Sequence, residues 1–226
     1  DIGGAYAAGV FENIEITNPG TVGVYVTGST AATSTNINVT GGDYGLLAGT
    51  SASGRFDMNS IDFENQALAG VYYLKDLNTD FSGTITGSAG PALKYGLNTN
   101  RDVVFSSLTI DNNAVGIESL GGATFTLTDV VLDNTKDVVI SGSSSMDFIE
   151  GDSDVSTVEV TGTGDFARMR ELDITVTADV TSGSTTTTEN VDGTNVVLKD
   201  PDGVVTGMAE TDNNGVANDL TFVTQT

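Results

Sequence analysis

The chain contains no cysteine and no histidine. Without cysteine there is no disulfide, and with neither residue the usual zinc, copper and haem sites are excluded. A Ser-His-Asp or Cys-His nucleophile is excluded for the same reason. Basic residues are scarce: 8 Lys and Arg stand against 31 Asp and Glu, for a net charge of -23 over 226 residues. So acidic a surface repels phosphate backbones and anionic lipid, which makes nucleic acid an unsuitable partner. It suits salty water, where repulsion is screened, and it suits hard cations that want oxygen ligands. No apolar run is long enough for a membrane-spanning helix, so direct membrane insertion is not expected. Proline is nearly absent as well, at 3 residues.

What is abundant is glycine, at 28 residues, together with Thr, Ser, Asn and Val. That mixture reads as all-β with many turns. The informative feature is a repeat. The pattern apolar-x-apolar-x-x-apolar-x-apolar returns every 21 to 25 residues, as Phe56-Met58-Ile61-Phe63, Val103-Phe105-Leu108-Ile110, Phe125-Leu127-Val130-Leu132 and Ala167-Met169-Leu172-Ile174. A period of that length built from period-2 fragments signals a solenoid. Each repeat holds three short strands, here a, b and c. Strand a carries the first apolar pair and strand b the second. Strand c often opens with glycine, as in Gly23-Val24-Tyr25-Val26, Gly45-Leu46-Leu47-Ala48 and Gly70-Val71-Tyr72-Tyr73.

Strand b ends in Asn or Gly at Asn18, Gly41, Asn65, Gly87, Asn112 and Asn134, which is what a left-handed backbone bend needs. These stacked asparagines resemble the Asn ladder of right-handed parallel β-helices of the pectin-lyase type. The resemblance covers residues 1–178 and implies a solenoid of about eight rungs. Gly4-Ala5-Tyr6-Ala7 fits strand c with no a or b before it, and Asp1 is not an initiator Met. Both lead to the expectation of an excised piece, or of a neighbouring molecule covering an open rung.

After Ala178 the composition changes. Thr181 to Thr188 reads as a Ser/Thr-rich linker, followed by hairpin signals around Asp200-Pro201-Asp202-Gly203 and Asp212-Asn213-Asn214-Gly215. The run from Asn195 to Ala217 resembles small β-sandwiches of the carboxypeptidase-regulatory or Ig-like kind. Residues 179–226 are therefore expected to be a linker followed by a β-hairpin cap or a partial β-sandwich.

Outward residues at matching positions of successive rungs form columns about 4.8 Å apart. One column is acidic: Glu64, Thr86, Asp111, Asp133 and Asp154 follow strand b. Stacked carboxylates repel unless a cation sits among them, so Glu64, Asp111, Asp133 and Asp154 are the candidate metal ligands and calcium the candidate cofactor. The plainer reading is a solvated edge of an acidic protein. The resemblance implies that relatives hold calcium or cleave uronic polysaccharides with such carboxylates. The chain departs from them, because the hydrolases' "GHG" element cannot exist without histidine and Lys136 is the nearest cation. No catalytic residue is assigned. The second column is aromatic: Tyr6, Tyr25 and Tyr72, with Leu47, are expected to face outward on strand c as a platform for a glycan or protein. The plainer reading is that these tyrosines pair with stacked neighbours.

The expectation is a structural or adhesive module of a larger secreted or cell-surface protein, partnered by a neighbouring β-solenoid or identical subunits and able to assemble end to end. The alternative is a polysaccharide-binding or polysaccharide-cleaving β-helix with calcium.

Overall fold

Stacking is the organising principle of the computed structural model, which describes residues 2–3, 6–75, 77–96, 102–149, 157–199, 202 and 204–225. Strand c forms one parallel sheet of β1 (Ile2–Gly3), β3 (Val22–Thr27), β5 (Tyr44–Ala48), β7 (Ala69–Tyr73), β9 (Pro91–Tyr95), β12 (Val115–Ser119), β15 (Val138–Ile140) and β17 (Val158–Val160). Strand b forms a second, of β2 (Tyr6–Thr17), β4 (Ser29–Thr40), β6 (Ser53–Glu64), β8 (Phe81–Thr86), β11 (Leu108–Asp111) and β14 (Val131–Asp133). In β2, β4 and β6, strands a and b run together as one long bent strand. Further along, strand a stands alone as β10 (Asp102–Ser106), β13 (Thr124–Thr128), β16 (Ser145–Ile149) and the start of β18 (Asp165–Thr175). Six turns carry both strand b and strand c among the described residues. The expected eight rungs match the strands of sheet c, not the complete turns.

The repeat is the core. Phe56, Met58, Phe63, Phe105, Phe125 and Leu127 are all 0% exposed. Their positions superpose rung on rung: Val103, Phe125 and Met146 are successive partners, as are Phe105, Leu127 and Phe148. Period-2 alternation sends these side chains inward, and parallel pairing stacks like on like. Tyr73 and Tyr95 stack inside the coil with centroids 4.7 Å apart, and Phe125 meets Tyr95 edge-on at 4.7 Å.

The glycines that open strand c have a packing cause. A Cβ on Gly45 would lie 2.6 Å from the Gly70 carbonyl oxygen and 2.8 Å from the Phe63 ring. One on Gly70 would run into the Ile85 side chain. Strand c therefore enters close against the b-strand core, and the small residue makes that approach fit.

The chain divides into two compact units, 1–167 and 168–226, so the division falls inside β18 and not after Ala178. In the second unit β18 pairs antiparallel with β23 (Val216–Gln225), from Arg168 opposite Gln225 to Thr175 opposite Val216. Met169, Leu172 and Ile174 therefore belong to an antiparallel pair, so the fourth copy of the repeat begins beside β16 as a strand a and does not continue as a further rung. The Ser/Thr-rich stretch is not a linker. It is a hairpin of β19 (Thr177–Ser182) and β20 (Thr185–Asn190), turned at Gly183 with φ 67°. β-Branched threonines favour extended backbone even where nothing buries them. A second hairpin joins β21 (Asn195–Lys199) and β22 (Val205–Glu210). Its turn at Asp200, Pro201 and Gly203 lies outside the described residues.

Candidate functional site

The inward bend after strand b is built as expected at five rungs. Asn18, Gly41, Asn65, Gly87 and Asn112 take φ of 49°, 77°, 61°, 69° and 56°. Asn134 does not. Its turn is one residue shorter, since Ile117 pairs with Val138 while Asp111 pairs with Asp133. Asn134 instead joins a ladder set one position later and facing inward, of Gln66, Ser88 and Asn113, all 2% exposed or less. The Asn113 amide donates to the Ile85 and Asp111 carbonyls at 3.1 and 2.8 Å. Its oxygen accepts the Ser88 N–H at 2.9 Å, and the Asn134 oxygen accepts the Asn113 N–H at 3.1 Å. Each rung thus satisfies buried backbone of the rung before it, which fixes the register.

The acidic column is in register: Glu64 pairs with Thr86, Thr86 with Asp111, and Asp111 with Asp133. Thr86 separates Glu64 from the two aspartates, so only Asp111 and Asp133 are neighbours. Asp111 accepts a hydrogen bond from the Asn112 amide at 2.9 Å. Among the described residues no three acidic side chains come together as a metal cluster. Asp154 lies outside them. In the Asp212 turn, the carboxylate accepts the backbone N–H of Asn214 and Val216 at 2.8 and 3.0 Å, with Gly215 at φ 75°. These bonds hold its pKa below the ordinary carboxylate value, the Val216 amide most of all. Asp147 is pushed the other way, by burial first and by nearby Asp165 second.

The aromatic column runs Tyr25, Leu47, Tyr72, Lys94, Glu118 and Val139 in strict register along sheet c. Tyr6 is not in it. It sits at the head of β2, opposite Thr30 of β4, in the sheet of strand b. The strand c of that level is β1, at Ile2–Gly3, which pairs with Val26–Thr27. The face is more self-contained than an open platform. Tyr72 is half-buried, with Tyr44 at 5.9 Å and the Lys94 ammonium 5.6 Å from its ring centroid. Lys94 in turn pairs with Glu118 at 2.6 Å. Tyr25, 37% exposed, lies over Gly49, where a Cβ would stand 2.7 Å from its hydroxyl. Lys136 is committed to Glu159 at 2.6 Å.

A third surface was missed. Between strands a and b the chain bends a second time through left-handed residues: Asn13, Asn36, Ser60, Ser107 and Asp129, with φ from 52° to 59°. All five are exposed. The bend folds the outer face in on itself and leaves a groove of about 540 Å3 across four rungs. Asn13, Asn36 and Ser60 line it from the bend. Glu15, Asn38, Asp62 and Thr84 line it from strand b, as consecutive register partners. The signal was in the repeat itself: in the first three copies the second of the two spacer residues is Ser60, Ser107 or Asp129.

The fold defines a parallel β-solenoid with ordered outward columns. The chain belongs to the family described as the right handed beta helix region, whose model matches residues 3–153. No curated protein and no solved structure matches it.

Proposed function

We propose that the chain is a structural and adhesive module of a larger secreted or cell-surface protein, working by contact along its outer face. The observation that carries this reading is the register of the outward columns. Tyr25, Leu47 and Tyr72 stand one rung apart on sheet c, over the wholly buried side chains of Val26, Leu46, Ala48 and Val71. A surface so fixed presents side chains at strand spacing without ordering cost on binding. The partners proposed are another β-solenoid, a second copy of this chain, or a glycan. The test is to immobilise the purified chain, pass neutral and charged polysaccharides and its own soluble form over it, and assay each polysaccharide for chain cleavage. Retention without cleavage is expected. Cleavage, or no retention of any of them, overturns the reading.

A second reading, a polysaccharide-binding β-helix, is favoured by the four-rung groove. Among the described residues a calcium requirement would rest on the Asp111–Asp133 pair, and unchanged melting on chelation removes it.

A further inference from the structure

We infer that the groove between strands a and b is a binding site for a linear oligosaccharide bearing free amines, lying across the rungs. The inference rests on the glycan reading above and names the site and ligand class. Three observations support it. The groove crosses four rungs, so its strand-b wall extends about 14 Å at the usual strand spacing. That is an elongated, shallow trough, suited to an extended chain and not to a compact small molecule. Its lining is polar in a particular way: the amides of Asn13, Asn36 and Asn38 and the hydroxyls of Ser60 and Thr84 both donate and accept, as a polyhydroxylated ligand requires.

The charge in the groove has one sign. Glu15 and Asp62 stand two rungs apart, on either side of Asn38, and no Lys or Arg is among the lining residues. Neither carboxylate has an ion-pair partner among the described residues. A uronate or sulfated chain would meet uncompensated repulsion there. An amine-bearing chain places an ammonium against each carboxylate and its hydroxyls against the amide between them. The net charge of -23 draws such a chain toward the protein from any direction. Selectivity for the groove must therefore come from Glu15, Asn38 and Asp62.

The bend also pre-forms the site. Asn36 donates its amide to the Asn13 oxygen at 2.9 Å, so that wall is set before a ligand arrives. The left-handed backbone at Asn13, Asn36 and Ser60 turns strand a away from strand b and holds the trough open.

The test uses the full chain with glucosamine oligomers, the same oligomers N-acetylated, and uronic-acid oligomers, by titration calorimetry at moderate salt. Tightest binding is expected for the free amine. The Glu15→Gln/Asp62→Asn double variant should weaken it about tenfold, the scale of two partly exposed ion pairs. The Asp192→Asn/Asp202→Asn variant removes the same charge from exposed positions outside the groove and should leave binding nearly unchanged. Equal binding of the acetylated oligomer overturns the proposal, and so does an equal loss in the Asp192/Asp202 variant, which would mark attraction by net charge alone. The glycan reading itself fails separately. It survives if other oligomers bind and substitutions at Tyr25 and Tyr72 abolish that binding, and it falls if no oligomer binds at all.

Discussion

The two units of this chain are both all-β and both rich in threonine, yet they hold their strands in different ways. From β3 to β16 in the first unit nearly every second strand residue is buried, and aromatic or branched side chains stack on their equivalents one rung away. In residues 168–226, β19 and β20 are exposed along their whole length, and β21 and β22 alternate only between half-buried and exposed. The buried points there are few: Thr211, Gly215, Ala217 and Leu220 among the described residues. A parallel coil closes a core with every turn, whereas a lone antiparallel hairpin satisfies its backbone without burying either face. Stability in the first unit should therefore reside in side chains, and in the second more in backbone and turns.

Substitutions that respect this contrast should fall in a definite order. Phe125→Ala empties a wholly buried position between two rungs and should cost about 3–5 kcal/mol in chemical denaturation. Asn113→Leu comes next. It leaves the Ser88 N–H and the Ile85 carbonyl without their partners inside the coil, for a loss of about 2 kcal/mol or more. A loss as small as that of a surface change would mean the ladder is decorative.

Asp147→Asn should raise stability at neutral pH. Its folded pKa lies above the unfolded one, so the native state holds the proton longer and loses stability as pH rises from the ordinary carboxylate value, 3.8, through the raised one. Melting curves of wild type and variant should coincide in acid below that window and separate above it. Asp212 has the opposite sign. Its folded pKa is depressed, so its contribution is present above the unfolded value and is lost as pH falls through the folded one. The amides of Asn214 and Val216 should then exchange faster in acid, once the intrinsic pH dependence of exchange is removed. Smallest of all, Val197→Thr on the exposed side of β21 should change stability by no more than about 0.5 kcal/mol. If it cost as much as Phe125→Ala, the contrast between the units would be wrong.

The repeat made much of the first unit readable in advance. Phe56, Met58, Ile61 and Phe63 announced their burial by spacing, and Asn65 and Asn112 announced their bend by identity. The misreadings have local causes. Asn134 has the right identity but sits in a turn one residue shorter, so the same residue type serves another position. Tyr6 lies in an alternating run that fits more than one strand, and only pairing with Thr30 chose between them. The hairpin of β19 and β20 reads as a linker at Thr181–Thr188 because Ser and Thr carry no apolar period, although threonine favours extended backbone.

The amino-acid sequence by itself determined a parallel coil, because a 21- to 25-residue period of inward side chains has no other economical way to bury itself. It also determined which residues align from rung to rung, since parallel register turns a sequence period into a spatial column. What the tertiary structure alone decided is whether a column is an open surface. Tyr72 became half-buried because Tyr44 and Lys94 close over it, and Asn13, Asn36 and Ser60 became the wall of a groove because the backbone folds there. Periodicity fixes the position of a side chain along the coil. Its exposure depends on neighbours one strand over and on the angle of the bend, which the spacing of apolar residues does not encode.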